Sequence, residues 1–109
     1  MTTIFVYQTS VADFFDVIAQ LRKNLKDPLK VVSDVQLVVN THGRKQINME
    51  KNDGLTYSED SDDFTCFLKD GSESIVEHDE TIQCAILDPI GMAAATFSLI
   101  FFPVGEIEI

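Results

Sequence analysis

The sequence predicts an α+β fold: one long N-terminal amphipathic helix packed on a mostly antiparallel sheet of five to seven strands. Three observations carry this expectation. Apolar residues recur at steps of three and four from Val11 to Leu25, the spacing of a helix face. From Val31 onward the apolar period falls to two, the period of a strand. Turn signals of the Asp-Gly kind then divide the rest of the chain into short segments.

Thr3 to Gln8 is rich in β-formers and reads as a first strand, buried on both faces or nearly so. Ser10 with Asp13 three residues on makes a capping box, and Val11, Phe14, Ile18, Leu21 and Leu25 form the apolar stripe of a helix running from about Val11 to Lys26. Arg22, Lys23 and Lys26 suit its negative end, and Asp27-Pro28 stops it. Next, Val35, Leu37 and Val39 alternate with Gln36 and Val38, and Ile47 and Met49 continue the odd positions after Thr41-His42-Gly43-Arg44. Opposed residues of a hairpin share a face, so odd must pair with odd across a loop with an odd number of residues.

Asn52-Asp53-Gly54 and Asp70-Gly71 are turn signals, the second separating Phe64 to Leu68 from Ser74 to Glu77. An antiparallel meander is the expectation. Thr81 to Leu87 reads as a further strand, and Thr96 to Phe102 as one buried on both sides. Between them, Asp88 as N-cap and Pro89 at the first helical position would open a short helix through Ala95. Glu106 to Ile109 alternates like a strand, in a position where chains often fray. No internal repeat or linker breaks the 109 residues, which are read as one globular domain, 1–109.

A chain of this length buries roughly two thirds of its unfolded surface around a single core. A hydrophobic content of 45% with eight phenylalanines excludes a disordered polyanion. The first residues have no basic n-region and only a short apolar run, so a cytoplasmic protein is expected. The uncharged stretch from Pro89 to Gly105 is interrupted by Pro89, Gly91 and Pro103 and falls short of the roughly 20 residues a membrane span needs. Cys66 and Cys84 sit in apolar runs without CxxC spacing and read as buried free thiols.

No motif specific to catalysis or to a cofactor is present. Glu77-His78-Asp79-Glu80 has metal-ligating types, but consecutive strand residues point to opposite faces, so only a tight turn could bring two or three to one ion. Asp60, Asp62 and Asp63 fail as an EF-hand opening, because Phe64 takes the fifth position and no glycine the sixth. Neither cysteine has a spacing that ties it to His42 or His78 as a base. Phosphate-cradling GxGxxG and Walker loops are missing, and Arg22, Lys23, Lys26, Lys30, Arg44, Lys45 and Lys51 are too scattered for a nucleic-acid stripe. The expectation is a protein that is not an enzyme, with no cofactor, no metal and no direct nucleic-acid contact.

What stands out is charge. Asn52 to Ile109 carries thirteen acidic side chains and one basic one, Lys69, for a net −12, against +2 for the residues before it and −10 for the whole. Ten of the carboxylates, Asp53, Glu59, Asp60, Asp62, Asp63, Asp70, Glu73, Glu77, Asp79 and Glu80, fall on turns and strand ends, and they are the candidate partner-binding residues. Such a surface is complementary to the nucleic-acid site of a nuclease, restriction enzyme, nucleoid protein or basic toxin. Inhibitors that imitate DNA and immunity proteins that neutralise nuclease toxins share this property as classes. The alternative is a structural subunit of a homo-oligomer or larger assembly, built through the apolar run Ala93 to Val104, with acidity serving only solubility.

Overall fold

Strand β1, Thr3–Ser10, leads directly into helix α1, Val11–Asn24. The computed structural model describes residues 2–24, 35–39, 45–87 and 94–109. Within them the chain continues through β2 (Val38–Val39), β3 (Lys45–Gln46), a 3-10 turn (Asn52–Gly54), β4 (Leu55–Ser58), β5 (Asp63–Phe67), β6 (Glu73–Val76), β7 (Thr81–Ile86), α2 (Ala94–Ile100) and β8 (Phe102–Glu108). The class is mixed helix and antiparallel sheet, as expected. The single sheet is not: the strands form a five-stranded sheet ordered β3-β2-β7-β1-β8 and a separate three-stranded meander β4-β5-β6.

Helix α1 begins where its cap requires, the Asp13 N–H donating to Ser10 Oγ at 3.1 Å. It has 14 residues and is not the long helix expected; Leu25, Lys26 and the Asp27-Pro28 stop lie outside the described residues. Its stripe of Val11, Phe14, Ile18 and Leu21 is buried. Nor does α1 lie simply on one sheet. Phe14 faces Phe101, with ring centroids 6.0 Å apart, while Phe15 meets Phe64 of the meander at 5.4 Å.

The segment expected as a buried strand, Thr96 to Phe102, is largely helix α2. Phe97 and Ile100 of α2 are buried with Phe101, which directly follows it, an i, i+3, i+4 set that a helical turn presents on one side. Phe97 packs edge-on against Tyr7 at 4.9 Å and stacks on Phe101 at 5.0 Å. The Asp88-Pro89 start of the expected short helix lies outside the described residues, and its expected last residue, Ala95, belongs to α2. The end of the chain is ordered into β8, which pairs with β1 from Thr3↔Glu108 to Gln8↔Phe102. Val104 is the extra residue of a bulge there, since Val6 pairs with Gly105 and Tyr7 with Pro103.

Val39 pairs with Lys45 and Val38 with Gln46, the odd-with-odd register expected for that hairpin. Val31 and the Thr41 to Arg44 turn lie outside the described residues. Ile47 then bridges to Leu68, tying the edge of the large sheet to the meander. Asp53 and Gly54 adopt φ of 59° and 81°, and Gly71 one of 90°, the left-handed conformations that Asp-Gly turns supply.

The two faces of the five-stranded sheet differ. Ile82, Cys84 and Ile86 of β7 point into the core with Val39, and the register places Phe5, Tyr7 and Thr9 of β1 on the same side. The opposite face carries Ile4, Val6 and Gln8 of β1, Gln83 and Ala85 of β7, Val38 of β2, and Phe102 and Ile107 of β8. Among the described strand residues that face holds no charged side chain.

Candidate functional site

A three-stranded meander sorts its connections by end: the β4–β5 and β6–β7 connections fall at one end, and the chain into β4 and the β5–β6 turn at the other. The ten candidate carboxylates divide accordingly. Glu59, Asp60, Asp62 and Asp63 on the first connection are brought beside Glu77, Asp79 and Glu80 on the second, since Asp63 pairs with Ser58 and Phe64 with Val76. Asp53, Asp70 and Glu73 are held at the far end.

The first group makes a local patch of seven carboxylates without a lysine or arginine in either connection. All are exposed except Asp63 and Glu80, which are partly buried. Asp62 sits at a φ of 52°, tolerated because a short acidic side chain can bond locally. Tyr57 donates its hydroxyl to Asp62, and Ser61 Oγ donates to Asp63 at 2.8 Å. Tyr57 also records the field: the hydrogen bond to Asp62 chiefly, with burial and the charges of Asp62, Glu59 and Asp63 behind it, holds its phenol above the usual 10.0. The hairpin is anchored from beneath by Phe15, Tyr57 and Phe64, whose ring centroids lie 5.1 to 6.1 Å apart.

Glu77 to Glu80 is a tight turn, closed by the Glu80 N–H donating to the Glu77 carbonyl at 3.1 Å and the Glu77 N–H donating to Glu80 Oε2 at 3.2 Å. The start of α1 docks on it: the Val11 N–H donates to the Glu80 carbonyl at 2.8 Å and the Ala12 N–H to that of His78 at 3.0 Å. This places the positive end of α1 against an acidic turn, a favourable arrangement. It also brings Asp13, exposed in the first helical turn, to the same end. Asp13, which the sequence offers only as part of the helix cap, and Tyr57 are not among the candidate residues expected from the sequence. The pairing Ser10↔Thr81 joins α1 to the Glu80 turn, and no local pattern announces that pairing.

The far end is compensated. Arg22 pairs with Asp53, and Lys51 Nζ lies 3.5 Å from Glu73 Oε1 and 4.8 Å from the Phe67 ring centroid. Asp70 accepts from the Ser72 hydroxyl and from the Ser72 N–H at 2.8 Å, and these bonds, helped by the charge of Lys45, hold its carboxyl below the usual range. A groove of about 340 Å³ separates α1 from the edge strand β4, with Phe15, Ala19, Thr56 and Tyr57 on its walls and the Arg22–Asp53 pair at one end.

Both cysteines are free and buried. Burial, with a smaller contribution from Glu80, pushes the Cys66 thiol up to about 11, and burial pushes Cys84 up to about 12. Thiols so placed are poor nucleophiles at neutral pH. Among the described residues no group of three or more His, Cys, Asp or Glu is placed to hold a metal ion, and no helix is long and apolar enough to cross a membrane. Compared with protein-family models, curated proteins and solved structures, the chain matches none.

Proposed function

We propose that this protein acts by binding rather than catalysis, as an acidic inhibitor or antagonist. It presents the Glu59–Asp63 and Glu77–Glu80 connections to a basic, nucleic-acid-binding surface of another protein, such as a nuclease, a restriction enzyme, a nucleoid protein or a toxin. The observation that carries this reading is the asymmetry of the meander: seven candidate carboxylates share one end on two connections that contain no lysine or arginine, while the other three sit among Arg22, Lys45, Lys51 and Lys69. Any meander sorts its turns by end, but an acidic surface serving only solubility has no need for cations to accompany the carboxylates of one end and to be missing from the connections of the other. A directional patch raises encounter rates with a basic partner. Two free, buried thiols support a reducing, cytoplasmic setting.

The test is inhibition of DNA cleavage by a panel of basic nucleases, together with their capture at low salt. The wild type is compared with a variant carrying Glu59→Gln, Asp60→Asn, Asp62→Asn and Asp63→Asn. The wild type should inhibit and capture at least one of them, and the variant should do so much more weakly while melting at a similar temperature. Equal capture and inhibition by both proteins would reduce the acidic end to solubilising surface.

A further inference from the structure

We propose that the uncharged outer face of the five-stranded sheet is the contact surface of a weak homodimer. This goes beyond the acidic-end reading and does not depend on it. Every copy carries a net charge of −10, so two copies repel wherever their carboxylates meet. The described strand residues of the outer face offer no carboxylate to such an encounter. The nearby carboxylates of β8, Glu106 and Glu108, pair with Phe5 and Thr3 and so belong to the other side.

The composition of this face favours a second copy as its occupant. A charged patch needs a partner of opposite sign, whereas an amide is donor and acceptor at once and can pair with the same amide on another copy. Gln8 and Gln83 lie opposite each other on adjacent strands, with Gln83 Nε2 donating to Gln8 Oε1 at 3.2 Å. Each amide has more donor and acceptor positions than this one bond takes up. A two-fold contact also requires a surface whose features complement each other after rotation. The face has such a pair: Phe102, 59% exposed, stands at its edge. A shallow depression of about 260 Å³ lies nearby, lined in part by Val6, Val38, Ala85 and Ile107. In a symmetric dimer each Phe102 enters the depression of the other copy.

Size makes the contact a weak one. Strands β1, β7 and β8 have 8, 6 and 7 residues but β2 and β3 only 2 each, so at about 3.3 Å per residue and about 4.8 Å between strands the face covers roughly 400 Å². That is about half the roughly 800 Å² per partner of a standard interface, the size of a transient contact.

Sedimentation velocity over a series of protein concentrations, at low salt and at about 0.5 M salt, tests the proposal on the wild type and two variants. Phe102→Ala removes the exposed knob, and the near-isosteric Gln83→Glu places one carboxylate on each facing surface. The wild type should self-associate, and more tightly at high salt, because screening relieves the repulsion between copies while the neutral contact is unaffected. Each variant should weaken association at least tenfold with an unchanged thermal melt. A wild type that stays monomeric throughout, self-association that weakens with salt, or self-association retained in either variant would overturn the proposal. Capture of a basic partner depends on salt in the opposite sense, so failure of the dimer and failure of the acidic-end reading are separately visible.

Discussion

Replacing Ile18 by Asp tests whether the α1 stripe is core. Ile18 is 4% exposed and belongs to the buried cluster that includes Phe14, Leu21 and Phe101. Truncating a buried isoleucine costs about 2 to 5 kcal/mol through lost transfer energy and the cavity left behind. An unpaired carboxylate in that place adds several more, or raises its own pKa until it is neutral. The sum rivals the roughly 5 to 15 kcal/mol that holds a domain of this kind together. Circular dichroism should therefore show no cooperative thermal transition for Ile18→Asp at pH 7. Part of the transition should return toward pH 5, where a carboxyl with a raised pKa takes up its proton. Gln20→Asp, at an exposed position of the same helix, makes the charge more negative by the same amount and should melt within a few degrees of the wild type. If Ile18→Asp also melts with the wild type, the stripe does not face a packed interior and the reasoning fails.

Thiol titration should find two slow-reacting groups that become fully available on denaturation; a protein without free thiols in the absence of reductant would contradict the buried, reduced assignment. The same burial makes stability fall at alkaline pH. The thiols of Cys66 and Cys84 are raised in the folded chain to about 11 and about 12 from 9.0, so the stabilisation from keeping them protonated is complete below pH 9 and is lost as pH rises through those values. Chemical denaturation at pH 8 and pH 10.5 should show the decline, and replacing both cysteines by alanine should flatten it. Gly54→Ala should cost about 2 to 5 kcal/mol, because its φ is +81° and the new methyl would meet Ile47 Cγ2. Gly71→Ala, at a φ of +90° with open space around it, should cost only about 1 to 2 kcal/mol of backbone strain in the same denaturation assay.

Local signals were legible where local physics decides. The Ser10 cap, the Val11 to Leu21 stripe, the Asp53-Gly54 and Asp70-Gly71 turns and the odd-with-odd hairpin register all appear at the positions their chemistry implies. Helix α2 was misread because Thr96, Phe97, Ile100 and Phe101 are β-formers by composition. The burial of Phe97, Ile100 and Phe101 follows the 3.6-residue period, and tertiary packing against Tyr7 and Phe14 overrides the propensity. The division into two sheets was illegible because β1 pairs with β7 and β8, strands more than seventy residues away. The sorting of the acidic residues was partly accessible, since alternate turns of any meander fall at opposite ends. The neutralisation of Asp53 by Arg22 and of Glu73 by Lys51 was not, because those pairs depend on where α1 and the 3-10 turn come to rest.

The central claim, that one acidic end of the meander drives association, is tested most directly by association rates with a basic nuclease as salt is varied. Three proteins suffice: the wild type, the quadruple variant at Glu59, Asp60, Asp62 and Asp63, and a far-end variant with Asp70→Asn and Glu73→Gln. Exposed charges are screened over about 8 Å at physiological ionic strength, so the wild-type rate should fall steeply with salt. The quadruple variant should associate at least about tenfold more slowly at low salt and depend on salt more weakly, because charges outside the buried centre of an interface act chiefly through encounter. The far-end variant should stay close to the wild type. Equal rates for wild type and quadruple variant, or an equal loss in the far-end variant, would contradict the account.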